Sequence, residues 1–70
     1  MSLFRLKIRE LIEEKNWTVK EVSERSGVHY STLKTYARSE EMTMADVVAL
    51  IRIARVLSVT VEELVEIIEE

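Results

Sequence analysis

Tyr30, Ser31, Lys34 and Arg38 recur at helical spacing and form one polar stripe, with Thr35 at its flank. A phenol, two hydroxyls, an ammonium and a guanidinium on one helix face are hydrogen-bonding groups combined with positive charge. Such a set is suited to recognition. The groups that break bonds are not assembled with it. The chain has one histidine, His29, no cysteine, no glycine-rich loop and no plausible triad, so we expect no enzyme. A lone imidazole without thiolate or further imidazole ligands is a poor metal site, so neither a metal nor another cofactor is expected.

The stripe needs a helix to carry it and neighbours to hold that helix. The 70 residues bound one domain, 1–70, and 47% of them are hydrophobic, enough for a globular core. There is no proline, and i, i+3, i+4 patterning runs through the chain, so the sequence predicts an all-α, compact five-helix domain. The first helix is expected from about Leu3 to Lys15, with Phe4, Ile8, Leu11 and Ile12 on one face. The second starts at Thr18, where Thr18 and Glu21 make a capping box. Leu33, Tyr36 and Ala37 give the third helix, about Tyr30 to Arg38, its inner face. A fourth is expected from about Ala45 to Leu57, with Thr43 and Asp46 capping its start and Val47, Leu50, Ala54 and Leu57 on one side. Thr60 and Glu63 make a second capping box for a last helix, 61–69, whose stripe is Val61, Leu64, Val65 and Ile68. Trp17 and Tyr36 are read as core residues, not as a ligand platform.

Gly27 is the only glycine in the chain, and it lies between the second and third helices. Glycine closes a helix well because it takes a left-handed backbone without a Cβ clash. Two short helices joined by a tight glycine turn make a helix-turn-helix, here 18–38, with Val28 filling the angle and Ser23 small enough for close approach. The second helix of such a unit can enter the DNA major groove, with its N-terminal residues reaching base edges.

The segment Ile8 to Leu64 resembles the lambda-repressor/Cro-like (XRE-type) helix-turn-helix DNA-binding family. The matching residues, in order, are Ile8-Arg9 with Leu11, the cap Thr18, Val22-Ser23, Gly27-Val28, Ser31-Thr32-Leu33, Arg38, Ile53-Ala54, Leu57, Val59 and Glu63-Leu64. The chain departs from the family pattern at Val19 (usually glutamine), at Ser39 and Ser58 (usually glycine), and in lacking a proline before helix four. The resemblance implies a repressor-like transcriptional regulator that binds double-stranded DNA, with Tyr30, Ser31, Lys34 and Thr35 at bases. Thr18, Lys20, His29, Arg38 and Arg9 are then phosphate contacts. It also implies a palindromic operator, a homodimer and a cytoplasmic, prokaryotic or phage-like setting. Val65 and Ile68, on the last helix, are the expected dimer contacts.

Charge divides the chain. The formal net charge is −3, but residues 1–39 carry eight Lys/Arg against five Glu, and residues 40–70 carry two Arg against eight acids. A binding site is governed by its local field, so the basic half suits a polyanion although the whole does not. A rival reading is a protein-interaction module that keeps the fold without binding DNA. The negative total, Val19 in place of glutamine, and the apolar surplus of helices four and five motivate it. The longest uninterrupted apolar run is Val47 to Ile51, far short of the roughly 20 residues of a membrane span, and no membrane partner is expected. The absence of cysteine fits a reducing compartment.

Overall fold

The computed structural model describes residues 3–69. The order is β1 (Leu3–Leu6), α1 (Ile8–Lys15), α2 (Val19–Ser26), α3 (Tyr30–Arg38), α4 (Val47–Val56), α5 (Val61–Leu64) and β2 (Val65–Glu69). The fold is mostly helical, with five helices, but it is not all-α: β1 and β2 pair antiparallel as a small sheet.

The sheet overturns two helix expectations. Leu3–Leu6 is a strand, so the first helix begins at Ile8. The last helix is a single turn ending at Leu64, and Val65–Glu69 is a strand, not helix 61–69. The pairing sets Leu6 opposite Val65, Arg5 opposite Glu66 and Phe4 opposite Ile67, with an irregularity before Leu3 meets Glu69. Two β-branched isoleucines and a valine within VEIIE favour the pleated surface once a partner strand is present. Arg5 adds a clasp. Its Nε donates to Glu66 at 3.0 Å, and its other nitrogens hold Glu10 of α1. The Arg5 guanidinium, hydrogen-bonded to Glu10, holds that carboxyl below the ordinary glutamate range.

Local caps decide the remaining boundaries. Asn16 takes a left-handed backbone at the end of α1. At Thr18 the capping box is complete: the Glu21 amide donates to Thr18 Oγ1 at 3.1 Å, and the Thr18 amide donates to Glu21 Oε1 at 3.0 Å. The box at Thr60 and Glu63 is also formed. For α4 the cap is Asp46 alone, whose Oδ1 accepts from the Val48 and Ala49 amides at 2.9 and 3.2 Å. The helix therefore starts at Val47, two residues later than expected, and Thr43 is not its cap. Val47 itself is exposed, so the inner face of α4 is Ala49, Leu50, Ile53 and Ala54.

Leu6, Ile8, Val22, Leu33, Ile53, Leu57 and Leu64 are the fully buried centre. They come from β1, all five helices and the α4–α5 corner, so one core ties the other helices and β1 to α3. Trp17 and Tyr36 pack on it while half-buried.

Candidate nucleic-acid interface

The turn between α2 and α3 is fixed by backbone geometry and two serines. Gly27 has φ +76°, and its amide donates to the Ser23 carbonyl at 3.0 Å. Ser23 Oγ donates to the Val28 carbonyl at 2.7 Å, and the Val28 amide donates to Ser26 Oγ at 3.1 Å. Val28 is buried, as expected of a plug. The sequence reading credited Ser23 only with small size. Its hydroxyl also clamps the turn, and the signal was the pair of serines three apart just before the glycine.

With the turn fixed, α3 buries Leu33 and Ala37, half-buries Thr32 and Tyr36, and leaves Tyr30, Ser31, Lys34, Thr35 and Arg38 exposed. At 3.6 residues per turn these five span an arc of about 140°, a continuous uncovered face. Tyr30 is 46% exposed at the first position of the helix and lines a cleft with Lys20, Ser23 and Glu24 of α2. Ser31 Oγ lies 3.3 Å from His29 Nδ1. His29 occupies the N-cap position without capping through its side chain, so its ring points to no helix amide. The far end of α3 is tied down by Ser39, whose Oγ donates to the Thr35 carbonyl at 2.7 Å.

Thr18 and Lys20 are exposed at the start of α2. The amides of Val19 and Lys20 open that helix with no acceptor inside it, and free amides at a helix start favour negative charge. Lys20 shares a cleft with Tyr30, and His29 and Ser31 are in contact, so Lys20, His29, Tyr30 and Ser31 gather where α2 meets the start of α3. Arg9 is exposed too, but it lines a different groove with Arg5, Glu10, Glu40, Glu41 and Ile68. Its neighbours there are mainly carboxylates.

The expected dimer contacts do not form one stripe. In a strand, Val65 and Ile68 fall on opposite faces. Val65 is half-buried against the core, and Ile68 is exposed beside Arg5. The helical stripe also hid Ile67, which is 54% exposed.

Three further contacts are not legible in the sequence, which gives Tyr36 and Trp17 only as core residues. The Tyr36 hydroxyl accepts from the Asp46 amide at 3.0 Å, so it fixes the loop between α3 and α4. Trp17 lies beneath two cations, with Arg25 Cζ 4.5 Å and Lys15 Nζ 5.4 Å from the ring centroid. Arg52 of α4 reaches the turn, where its guanidinium is 3.8 Å from the place a Gly27 side chain would begin. The Trp17 stack joins the end of α1 to α2, a contact that only the fold creates.

No helix among the described residues is long and apolar enough to cross a membrane. The model of the Cro/C1-type HTH DNA-binding domain matches residues 7–70. The chain is similar to a solved structure of the master regulator for biofilm formation, SinR, in complex with DNA. The two are 29% identical, with a TM-score of 0.74, over 83% of this chain and 90% of that one. No curated protein matches the sequence. With the capped start of α2, the left-handed Gly27 and the matched span all in agreement, the chain belongs to the Cro/C1-type helix-turn-helix DNA-binding domain family.

Proposed function

We propose that the chain is a small, repressor-like transcriptional regulator that binds double-stranded DNA sequence-specifically, as a homodimer on a palindromic operator. The observation that carries this reading is the uncovered polar stripe of α3, held rigid from behind by Leu33 and Ala37 and placed directly after the glycine turn. That SinR was solved with DNA supports it.

In this reading α3 enters the major groove. Tyr30 and Ser31, at its N-terminal end, reach base edges. The Tyr30 ring packs on a thymine methyl or its hydroxyl hydrogen-bonds, and the Ser31 hydroxyl donates or accepts. Lys34, one turn on, takes guanine O6/N7 or a phosphate, and Thr35 flanks it. Phosphates are held by the α2 start through Thr18 and Lys20, and by His29 and Arg38. Most contacts in such interfaces go to the backbone and set register without reading sequence. Val19 offers no side-chain amide, so its backbone N–H takes the place of the family's glutamine. Arg9 contributes least, because carboxylates share its groove. Bound protein blocks polymerase by occupying its site.

The test is an anisotropy titration of duplex DNA at several salt concentrations. Log K falls against log salt with a slope of about −0.9 per phosphate neutralised. Lys34→Ala weakens specific binding: relaxed preference at one base pair assigns Lys34 to a base, and a uniform drop assigns it to phosphate. Unchanged affinity and preference would remove Lys34 from the interface. One observation favours the rival interaction module. Met44, just before α4, and Val47 and Val48, its first two residues, are exposed apolar side chains. That reading requires no DNA binding even at low salt.

A further inference from the structure

The exposed arc of α3 has two edges. Tyr30 stands at one, where it shares a cleft with Lys20 of α2. Thr35 stands at the other, and by helical spacing Thr32 and Tyr36 follow directly beyond it. That second edge opens on a cleft of about 380 Å³ between α3 and α4, whose lining includes His29, Thr32, Tyr36, Asp46, Val48 and Arg52. One water takes up about 30 Å³, so the cleft has room for a phosphate group with its hydration. Arg52 is exposed, and its guanidinium comes close to the turn because Gly27 has no side chain. Among the described residues both ion pairs belong to Arg5, so no carboxylate holds Arg52. Asp46, the acid of this cleft, lies six residues earlier, about 9 Å along the α4 axis. Its Oδ1 is taken by the Val48 and Ala49 amides. The end of the cleft at the turn is therefore cationic.

We infer that Arg52 holds a phosphate of bound DNA at the edge of α3 away from Lys20. This rests on the DNA-binding reading above and deepens it, since no phosphate contact in that reading comes from α4. A helix with its side chains is about 10–12 Å across, and the major groove is about 12 Å wide. With α3 in the groove, a sugar-phosphate backbone therefore runs along each edge of its exposed arc. Thr18 and Lys20 serve the α2 edge. Arg52 serves the α4 edge, with a planar fork that matches two phosphate oxygens. His29, whose Nδ1 lies beside Ser31 Oγ, borders the same end of the cleft. Arg52 also stands near the C-terminal end of α2, where a cation suits the helix dipole. A purely structural role would stop there.

Salt separates the two roles. In anisotropy titrations of duplex DNA, the slope of log K against log salt is shallower by about 0.9 in Arg52→Gln. Affinity falls alike for all sequences. Arg52→Lys keeps the slope, because an ammonium still neutralises a phosphate. Arg55→Gln removes an exposed charge one turn further along α4 and keeps the slope as well. A duplex with one phosphate at a time replaced by a neutral methylphosphonate locates the contact. At one position per half-site the unmodified chain loses affinity and Arg52→Gln loses none, the coupling expected of two groups in contact. Circular dichroism checks that each variant is folded; should Arg52→Gln unfold, Arg52→Met keeps the apolar stem and takes its place. An unchanged slope in the folded variant, an equal loss in Arg55→Gln, or no methylphosphonate position that separates the variant from the unmodified chain would each overturn the assignment of Arg52. An unmodified chain that binds no duplex at low salt would overturn the DNA-binding reading beneath it.

Discussion

The helix-turn-helix unit and the terminal sheet are built by opposite means. In the unit, every boundary is set by residues within a few positions: Thr18 with Glu21, Gly27 with Ser23, Ser26 with Val28. In the sheet, the partners are about sixty positions apart, as with Arg5 and Glu66. The first kind of structure holds its shape through backbone geometry and caps. The second depends on the core closing the chain ends together, through Leu6 and Leu64. The difference implies that damage to the sheet spreads to the whole fold, whereas damage to a cap is graded.

That contrast can be broken most severely at Leu64, which is fully buried where α5 passes into β2 and whose carbonyl accepts from the Lys7 amide at 2.9 Å. Leu64→Ala removes core volume at the closure point and should destabilise by about 2–5 kcal/mol. Denaturant unfolding checks it; a loss under about 1 kcal/mol would show that the ends close independently of the core. Next is Gly27→Val. Space is not the obstacle, since the nearest atom to an added Cβ is 3.8 Å away. The penalty is the left-handed backbone at φ +76°, about 1–2 kcal/mol for an ordinary residue and more for a β-branched one. A melting temperature equal to wild type would show that the turn does not hold that conformation.

A smaller effect of opposite sign is expected at Ser58, a non-glycine residue at φ +59° in the corner after α4. Ser58→Gly should relieve strain and stabilise by roughly 0.5–1 kcal/mol, less the added freedom of the unfolded chain. A fall in melting temperature would mean that the serine side chain contributes more than the strain removes.

The smallest effect is electrostatic. The hydrogen bonds from Arg5 lower the Glu10 carboxyl, and those from Thr60 lower Glu63. A carboxyl held below its unfolded value, about 4.3 for glutamate, adds stability above that pH and loses it as pH falls through the folded value. Melting temperature should therefore drop below about pH 4. Glu10→Gln should remove part of that dependence while costing under about 1 kcal/mol at neutral pH, because Glu10 is half exposed. An identical pH profile in the variant would detach the Arg5 clasp from acid stability.

Legibility followed the same division. The capping boxes at Thr18 and Thr60, the left-handed Gly27, and α3 with Leu33 and Ala37 inward were all readable, because each signal lies within one turn of what it controls. The strands were read as helix because Phe4 with Ile8 and Val65 with Ile68 also fit helical spacing. Only a distant partner decides for the pleat, although the run of β-branched residues in VEIIE was the available sign. Thr43 fits the α4 cap locally, because a hydroxyl three residues before an acid is a good cap. The Asp46 carboxylate caps the helix instead, on a residue whose amide is fixed by the Tyr36 hydroxyl, so the helix starts later. At the site, exposure of every residue read as a DNA contact agrees with the sequence, but the grouping of Arg9 with Glu40 and Glu41 is a property of the fold.

The central claim is that the α3 stripe reads DNA. Its most direct test is selection from a randomised duplex pool with the unmodified chain, repeated with Lys34→Ala, at low and moderate salt. The account expects enrichment of a palindromic consensus and its loss or relaxation at one symmetric position in the variant. No enrichment at either salt, from a folded chain, would contradict it and turn attention to the apolar residues Met44, Val47 and Val48 as a protein-binding surface.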